Sequence, residues 1–147
     1  MKLSGVEFSQ GEKLPQKHGY MNENVSPALE ITEVPGEASS LALVFKDPDA
    51  QEMAGKTWIH WTLWDIDPEK ERIEEDTAPG IEGITDFRKK GYNGPNPPDG
   101  DHEVKFELFA LNEEIELEAG ADFEELEDEI NDKKLDKAVL EATFLKE

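Results

Sequence analysis

Two of the three histidines in this 147-residue chain stand in company that could do chemistry. His60 lies in the aromatic run Thr57-Trp58-Ile59-His60-Trp61-Thr62-Leu63-Trp64 and shares a strand face with Trp58 and Thr62 by the period of two. His102 stands between a Pro/Gly-rich stretch and the run that opens at Val104. Asp47 and Asp49 bracket Pro48 where the apolar run 40–46 ends. If the runs 41–46 and 57–64 pair, and the Pro/Gly stretch folds over their end, these four residues converge. Two imidazoles and two carboxylates are workable ligands for a divalent metal that assists hydrolysis.

Each residue also has a local reading. A histidine on a strand face is most often a hydrogen-bonded, half-buried side chain. Aspartates beside proline commonly close turns through their own neighbouring N–H groups. His102 could be exposed in its loop, and His18, in a polar N-terminal stretch, reads as structural or solvated. No GxSxG, Walker, HExxH or EF-hand pattern occurs, and no Ser or Thr sits in a nucleophile signature. The absence of cysteine removes a thiol nucleophile, a Cys-ligated zinc and any disulfide framework. A reducing cytoplasm is the expected compartment.

The elements that must position these residues are mainly strands. Ser40–Lys46 is a short apolar run stopped by Asp47-Pro48-Asp49, and 57–64 is aromatic and β-branched before Asp65-Ile66-Asp67-Pro68. Residues 104–111 alternate, with Val104, Phe106, Leu108 and Ala110 on one face. Weaker strands are expected at Val6–Phe8, Leu29–Thr32 and Ala138–Leu145. No helix of ordinary length separates the early strands, which argues against a parallel βαβ sheet and for an antiparallel sandwich or open barrel. One helix is predicted, with Asp122 as cap, Glu125 at the capping-box position, and Phe123, Leu126 and Ile130 at helical spacing. Its other face is acidic and reads as solvated, or as a stripe for a basic partner. Gly91–Gly100 holds three Pro and three Gly in ten residues, which predicts a rigid loop of the kind that carries function.

Length sets the scale: residues 1–147 make one domain with a sizeable core. Charge then excludes classes. The 36 Asp+Glu against 15 Lys+Arg leave a formal charge of −21. Spread over roughly 7,600 Å² of folded surface, that charge repels nucleic acid and anionic leaflets, since both need Lys/Arg to neutralise them. No apolar window is long enough to span a bilayer, and Glu7 and Glu12 interrupt any signal-peptide core. Although the charge balance resembles that of disordered chains, 3 Trp, 7 Phe and 2 Tyr cluster in apolar runs, which predicts a folded domain. The acidic coat is either ordinary solubilisation or an adaptation to a salt-rich cytosol, where screening shortens self-repulsion to a few ångströms. Arg is nearly absent and Glu outnumbers Asp, which is not the composition expected of an extreme halophile.

Four segments in order carry a family pattern: Asn24-Val25-Ser26-Pro27-Ala28-Leu29, Asp47-Pro48-Asp49-Ala50, Trp58-Ile59-His60-Trp61, and Gly91-Tyr92-Asn93-Gly94-Pro95-Asn96-Pro97-Pro98-Asp99-Gly100-Asp101-His102. The chain, from about Leu3 to Phe144, resembles the phosphatidylethanolamine-binding protein family in its compact bacterial and archaeal branch, often labelled Raf kinase inhibitor-like. The resemblance implies an antiparallel Greek-key β-sandwich with one or two peripheral helices. It further implies a small surface pocket for phosphate-like anions, at Asp47, Asp49, His60, Gly94, Pro95 and His102, with Trp58 and Pro98 beside them. In that reading the anion is held by histidine and loop N–H groups. An aspartate beside an imidazole favours imidazolium, which donates to phosphate oxygens. Homodimerisation is also implied; no cofactor and no metal is. The chain departs from the family at Gln51, where proline usually follows, and at Glu103 and Val104, which replace an arginine and a ligand-reaching tyrosine. Asn96 stands for a frequent cysteine and Ile31 for a usual tryptophan. Loss of the tyrosine hydroxyl removes one donor to the anion, worth about 1–3 kcal/mol.

Three functions compete at this stage. The first is a non-enzymatic binding protein for a small anionic ligand. The second is a metal-assisted hydrolase built on Asp47, Asp49, His60 and His102. The third is an interaction module that restrains a kinase or other partner.

Overall fold

Alternating and continuous apolar runs decide where the chain extends. The computed structural model describes residues 1–98 and 100–146; Asp99 of the Pro/Gly loop lies outside the described residues. Among the described residues the strands are β1 (Lys2–Gly5), β2 (Leu29–Thr32), β3 (Ser40–Asp47), β4 (Trp58–Ile66), β5 (Arg72–Ile73), β6 (Ile81–Glu82), β7 (His102–Leu111) and β8 (Lys134–Phe144). They form two antiparallel sheets, ordered β1-β2-β5 and β6-β4-β3-β7-β8. In the larger sheet β3, β4 and β6 are successive neighbours, and β7 returns to the open side of β3, which is Greek-key order.

The two sheets face each other across the main core. Leu29, Ile31 and Ile73 of the small sheet meet Leu43, Phe45, Trp61, Phe106 and Leu108 of the large one, with the Phe45 and Phe106 rings stacked at 4.0 Å between centroids. The other face of the large sheet is covered as well. Ala42, Val44, Ile59, Trp64 and Phe109 pack there against Leu126 and Ile130 of α2 (Phe123–Lys133). Burial on both faces is why 41–45 reads as an unbroken apolar run rather than an alternation.

Helix α2 starts where its cap dictates. Asp122 Oδ1 accepts the Glu125 N–H at 2.9 Å, and Glu124 and Glu125 lie in the first turn, where the helix dipole favours negative charge. The chain then passes directly into β8 at Lys134.

Two strand expectations are corrected. The first strand is Lys2–Gly5, not Val6–Phe8. After Gly5 the chain bends so that Phe8 folds back onto the core; a Cβ at Gly5 would lie 2.6 Å from the Phe8 carbonyl oxygen. Glycine is what allows that bend, and Val6 is left exposed outside it. The last strand begins at Lys134 rather than Ala138, because β7 offers pairing partners as far as Leu111. Residues 134–137 carry little apolar signal since β8 is an edge strand, where charge is favoured.

Candidate functional site

Three adjacent strand ends build one cleft. Asp47 closes β3 and pairs in register with Trp58, the first residue of β4. His60 follows two residues on, along β4, and His102 opens β7 on the other side of β3. The Pro/Gly loop crosses this end of the sheet. Between them lies a cleft of about 220 Å³ whose polar lining is Asp47, His60, Asn96 and His102. Trp58, Phe87, Pro97 and Pro98 form apolar walls, with Ala50 and Ala54 from the turn and short helix α1 (Gln51–Ala54) after β3.

Each histidine is anchored by Nδ1. His102 Nδ1 lies 2.5 Å from Asp47 Oδ2, and both side chains are almost fully buried. Asp47 Oδ1 accepts the Ala50 N–H at 3.2 Å, so the carboxylate caps the turn and orients the ring at once. Burial pushes the Asp47 carboxyl above its ordinary value, with the His102 hydrogen bond opposing that rise. His60 Nδ1 lies 2.7 Å from the Asn93 carbonyl. A carbonyl only accepts, so Nδ1 carries the proton and the neutral ring keeps its lone pair on Nε2. Burial lowers the His60 pKa to about 4, which keeps the ring neutral at pH 7. At His60 desolvation outweighs the nearby Asp86 carboxylate, so the charged ring is not the resting form there.

A further donor belongs to a residue of the cleft wall. Trp58 Nε1 is buried and has no hydrogen-bond partner among the described residues. An unpaired buried N–H costs about 1–3 kcal/mol, so it marks a place where a ligand oxygen would be favoured.

The remaining residues implied by the resemblance lie elsewhere. Asp49 is exposed, and its Oδ2 accepts the Glu103 N–H at 2.8 Å, tying the turn after β3 to the start of β7. Gly94 and Pro95 are buried within the loop and do not line the cleft. The Gly94 N–H donates to Asn24 Oδ1 at 2.7 Å, which removes it as an anion donor. A Cβ on Gly94 would sit 1.9 Å from the His18 carbonyl oxygen, so glycine is required by close backbone approach. Pro95 accepts the Tyr20 N–H at 2.9 Å. Pro97 and Pro98 have no N–H to offer, so backbone donors contribute less than the family reading implied.

The departures also find places. Val104 and Ile31 are fully buried between the sheets, while Asn96 lines the cleft. Phe87, like Pro97, Ala50 and Ala54, is a wall that sequence reasoning missed. It comes from an irregular segment, stacks on Tyr20 at 4.5 Å between centroids, and carries no motif that announces it.

The hydrolase alternative needs at least three ligand atoms around one ion. Among the described residues that grouping occurs not at Asp47, Asp49, His60 and His102 but at Glu7, His18 and Glu75. His18 is itself buried, which corrects the solvated reading, and its Nδ1 lies 2.8 Å from the Val25 carbonyl.

Known proteins resemble this chain along nearly its whole length. The sequence profile described as phosphatidylethanolamine-binding protein matches residues 4–145. A UPF0098 protein of Methanothermobacter thermautotrophicus is 37% identical over 133 residues, covering 86% of each chain. One from Chlamydia muridarum is 32% identical over 147 residues, covering 98% of each. Among solved structures, a putative phosphatidylethanolamine-binding protein homologue from Chlamydia trachomatis superposes with a TM-score of 0.93 at 30% identity, over 99% of this chain and 97% of that one. Escherichia coli YbcL, described as a member of the mammalian family, shares the fold with a TM-score of 0.91 at 24% identity, over 99% of this chain and 98% of its own. With the profile spanning the two sheets, the strand-end cleft and the Pro/Gly loop alike, the chain belongs to the phosphatidylethanolamine-binding protein family.

Proposed function

We propose that this is a non-enzymatic binding protein whose cleft takes a small ligand by a phosphate-like anionic group. The observation that carries the reading is the buried Nε1–H of Trp58, without a partner among the described residues, on a side chain that lines the cleft together with two histidines. An oxygen acceptor satisfies that donor, and an anionic oxygen gains most from it, since charge-assisted bonds are roughly twice as strong as neutral ones. The apolar walls accept the remainder of the ligand at little desolvation cost. With no cysteine to oxidise, the chain suits a reducing cytoplasm.

Neutral His60 makes the binding proton-linked. Its Nε2 lone pair repels a fully ionised phosphate, so the ligand must either bring a proton or draw one onto the ring. Affinity accordingly rises as pH falls from 8 towards 6. The surface charge of −21 opposes approach at long range, and salt screens that repulsion while the direct hydrogen bonds persist.

The test is a phosphoethanolamine titration in molar KCl, followed at the ring signals of His60 and His102, with calorimetry in two buffers of different ionisation enthalpy. Shifts at both rings with net proton uptake support the proposal. Unmoved rings at millimolar ligand refute it.

A further inference from the structure

Away from the cleft, a histidine and two glutamates meet from three segments distant in sequence. One carboxylate oxygen each from Glu7 and Glu75 and a ring nitrogen of His18 lie within 4.8 Å of one another. His18 is only 1% exposed, and the glutamates lie at the surface beside it. The Val25 carbonyl accepts from His18 Nδ1, so the lone pair is on Nε2, for which no hydrogen bond occurs among the described residues. Burial also lowers the His18 pKa, which keeps the ring neutral and able to coordinate. A ring whose second nitrogen is held by a backbone carbonyl has the outer support characteristic of metal-binding histidines.

The space between the two carboxylates already takes a cation. The Lys17 ammonium lies 2.8 Å from Glu7 Oε2 and 2.7 Å from Glu75 Oε1. One ammonium against two carboxylates leaves the cluster with a net charge of −1, whereas a divalent ion balances it. The lysine stem is partly exposed and flexible, so it can withdraw. The segment bearing Glu75 is fastened close to His18, because the Asp76 N–H donates to the Ser26 carbonyl at 3.0 Å.

We propose that Glu7, His18 and Glu75 form a site for one divalent transition metal of the zinc class, which takes the place of the Lys17 ammonium. Imidazole with carboxylates and no thiolate favours zinc over calcium or magnesium, whose preferred ligands are all oxygen. The site stands apart from the cleft and does not rest on the ligand proposed there.

The test is calorimetric titration of Zn²⁺ into the chelator-treated full chain in molar KCl, which screens the acidic surface, with Ca²⁺ as the control. The proposal expects one saturable Zn²⁺ per chain, a perturbed His18 ring signal, and binding weakened about tenfold or more in Glu75→Gln. Lys17→Met removes the competing ammonium and tightens binding. Since that lysine lies on the surface, its variant keeps the test open even if Glu75→Gln fails to fold. Zn²⁺ uptake no stronger than that of Ca²⁺, an unmoved His18 ring, or a Lys17→Met variant that binds no more tightly than the native chain overturns it.

Discussion

Replacing His60 by asparagine removes the ring but keeps an N–H able to reach the Asn93 carbonyl, and it isolates what burial does to this histidine. In the folded protein His60 titrates at about 4, against 6.5 when exposed. Between those values the unfolded chain takes up a proton that the folded chain does not, so acid favours unfolding. The stabilisation is fully present above pH 6.5 and drains away as pH falls through 4. At 1.36 kcal/mol per pKa unit the contribution is about 3 kcal/mol in all, most of which is gone by pH 4.5. The substitution itself loses ring contacts with Phe45 and Phe87, at 5.3 and 5.7 Å between centroids, and leaves a void costing about 1–3 kcal/mol. Urea unfolding of both proteins at pH 7.5 and 4.5 separates the two effects. Carboxylates that titrate in the same range enter both proteins alike and cancel in the double difference. The native protein should lose about 2–3 kcal/mol more than His60→Asn, a difference of about 1 M in urea midpoint. A double difference under about 0.5 kcal/mol, or a His60 ring signal with its midpoint at or above pH 6, would show that the buried-neutral assignment is wrong.

Three further outcomes follow from the geometry. Gly94→Ala drives a Cβ into the His18 backbone and strains the Gly94–Asn24 bond, so it should cost about 3 kcal/mol or more; a melting temperature within 2–3 °C of native, equivalent to less than about 1 kcal/mol, contradicts the close approach. Leu126→Ala empties a fully buried position between α2 and the large sheet and should destabilise by about 2–5 kcal/mol, read from denaturant midpoints at unchanged slope. Trp58→Phe should leave stability unchanged or slightly raised, because the donor it deletes has no partner among the described residues, while weakening phosphoethanolamine about tenfold or more; unchanged affinity denies that Nε1 meets the anion.

The strands that hold the cleft were legible because their apolar residues alternate or run unbroken: Ser40–Asp47, Trp58–Ile66 and His102–Leu111 lie close to where patterning puts them. The cap at Asp122 was legible for a local reason, since the bond it makes spans only three residues. Elements whose position depends on distant partners were not. The bend after Gly5 follows from packing of Phe8 against a core that no N-terminal pattern encodes, and residues 134–137 extend because β7 is there to pair with them. Asp47, His60 and His102, three of the four residues that pairing of the central strands could bring together, line one cleft, and Trp58 and Pro98, implied only by the resemblance, line it with them. Asp49, two residues from Asp47, turns instead to the Glu103 N–H, and spacing along the chain does not reveal which of two aspartates faces inward.

Composition and periodicity by themselves determined an acidic, strand-rich domain and the residue types that its cleft holds, since both properties are local or additive along the chain. Only the tertiary structure decided their chemical state. Whether His60 is charged depends on what removes water from its ring, whether the Gly94 N–H is free depends on Asn24, and whether His18 meets Glu7 and Glu75 depends on three segments brought together. Desolvation and hydrogen-bond partnership are set by neighbours in space, and those neighbours exist only once the chain has folded.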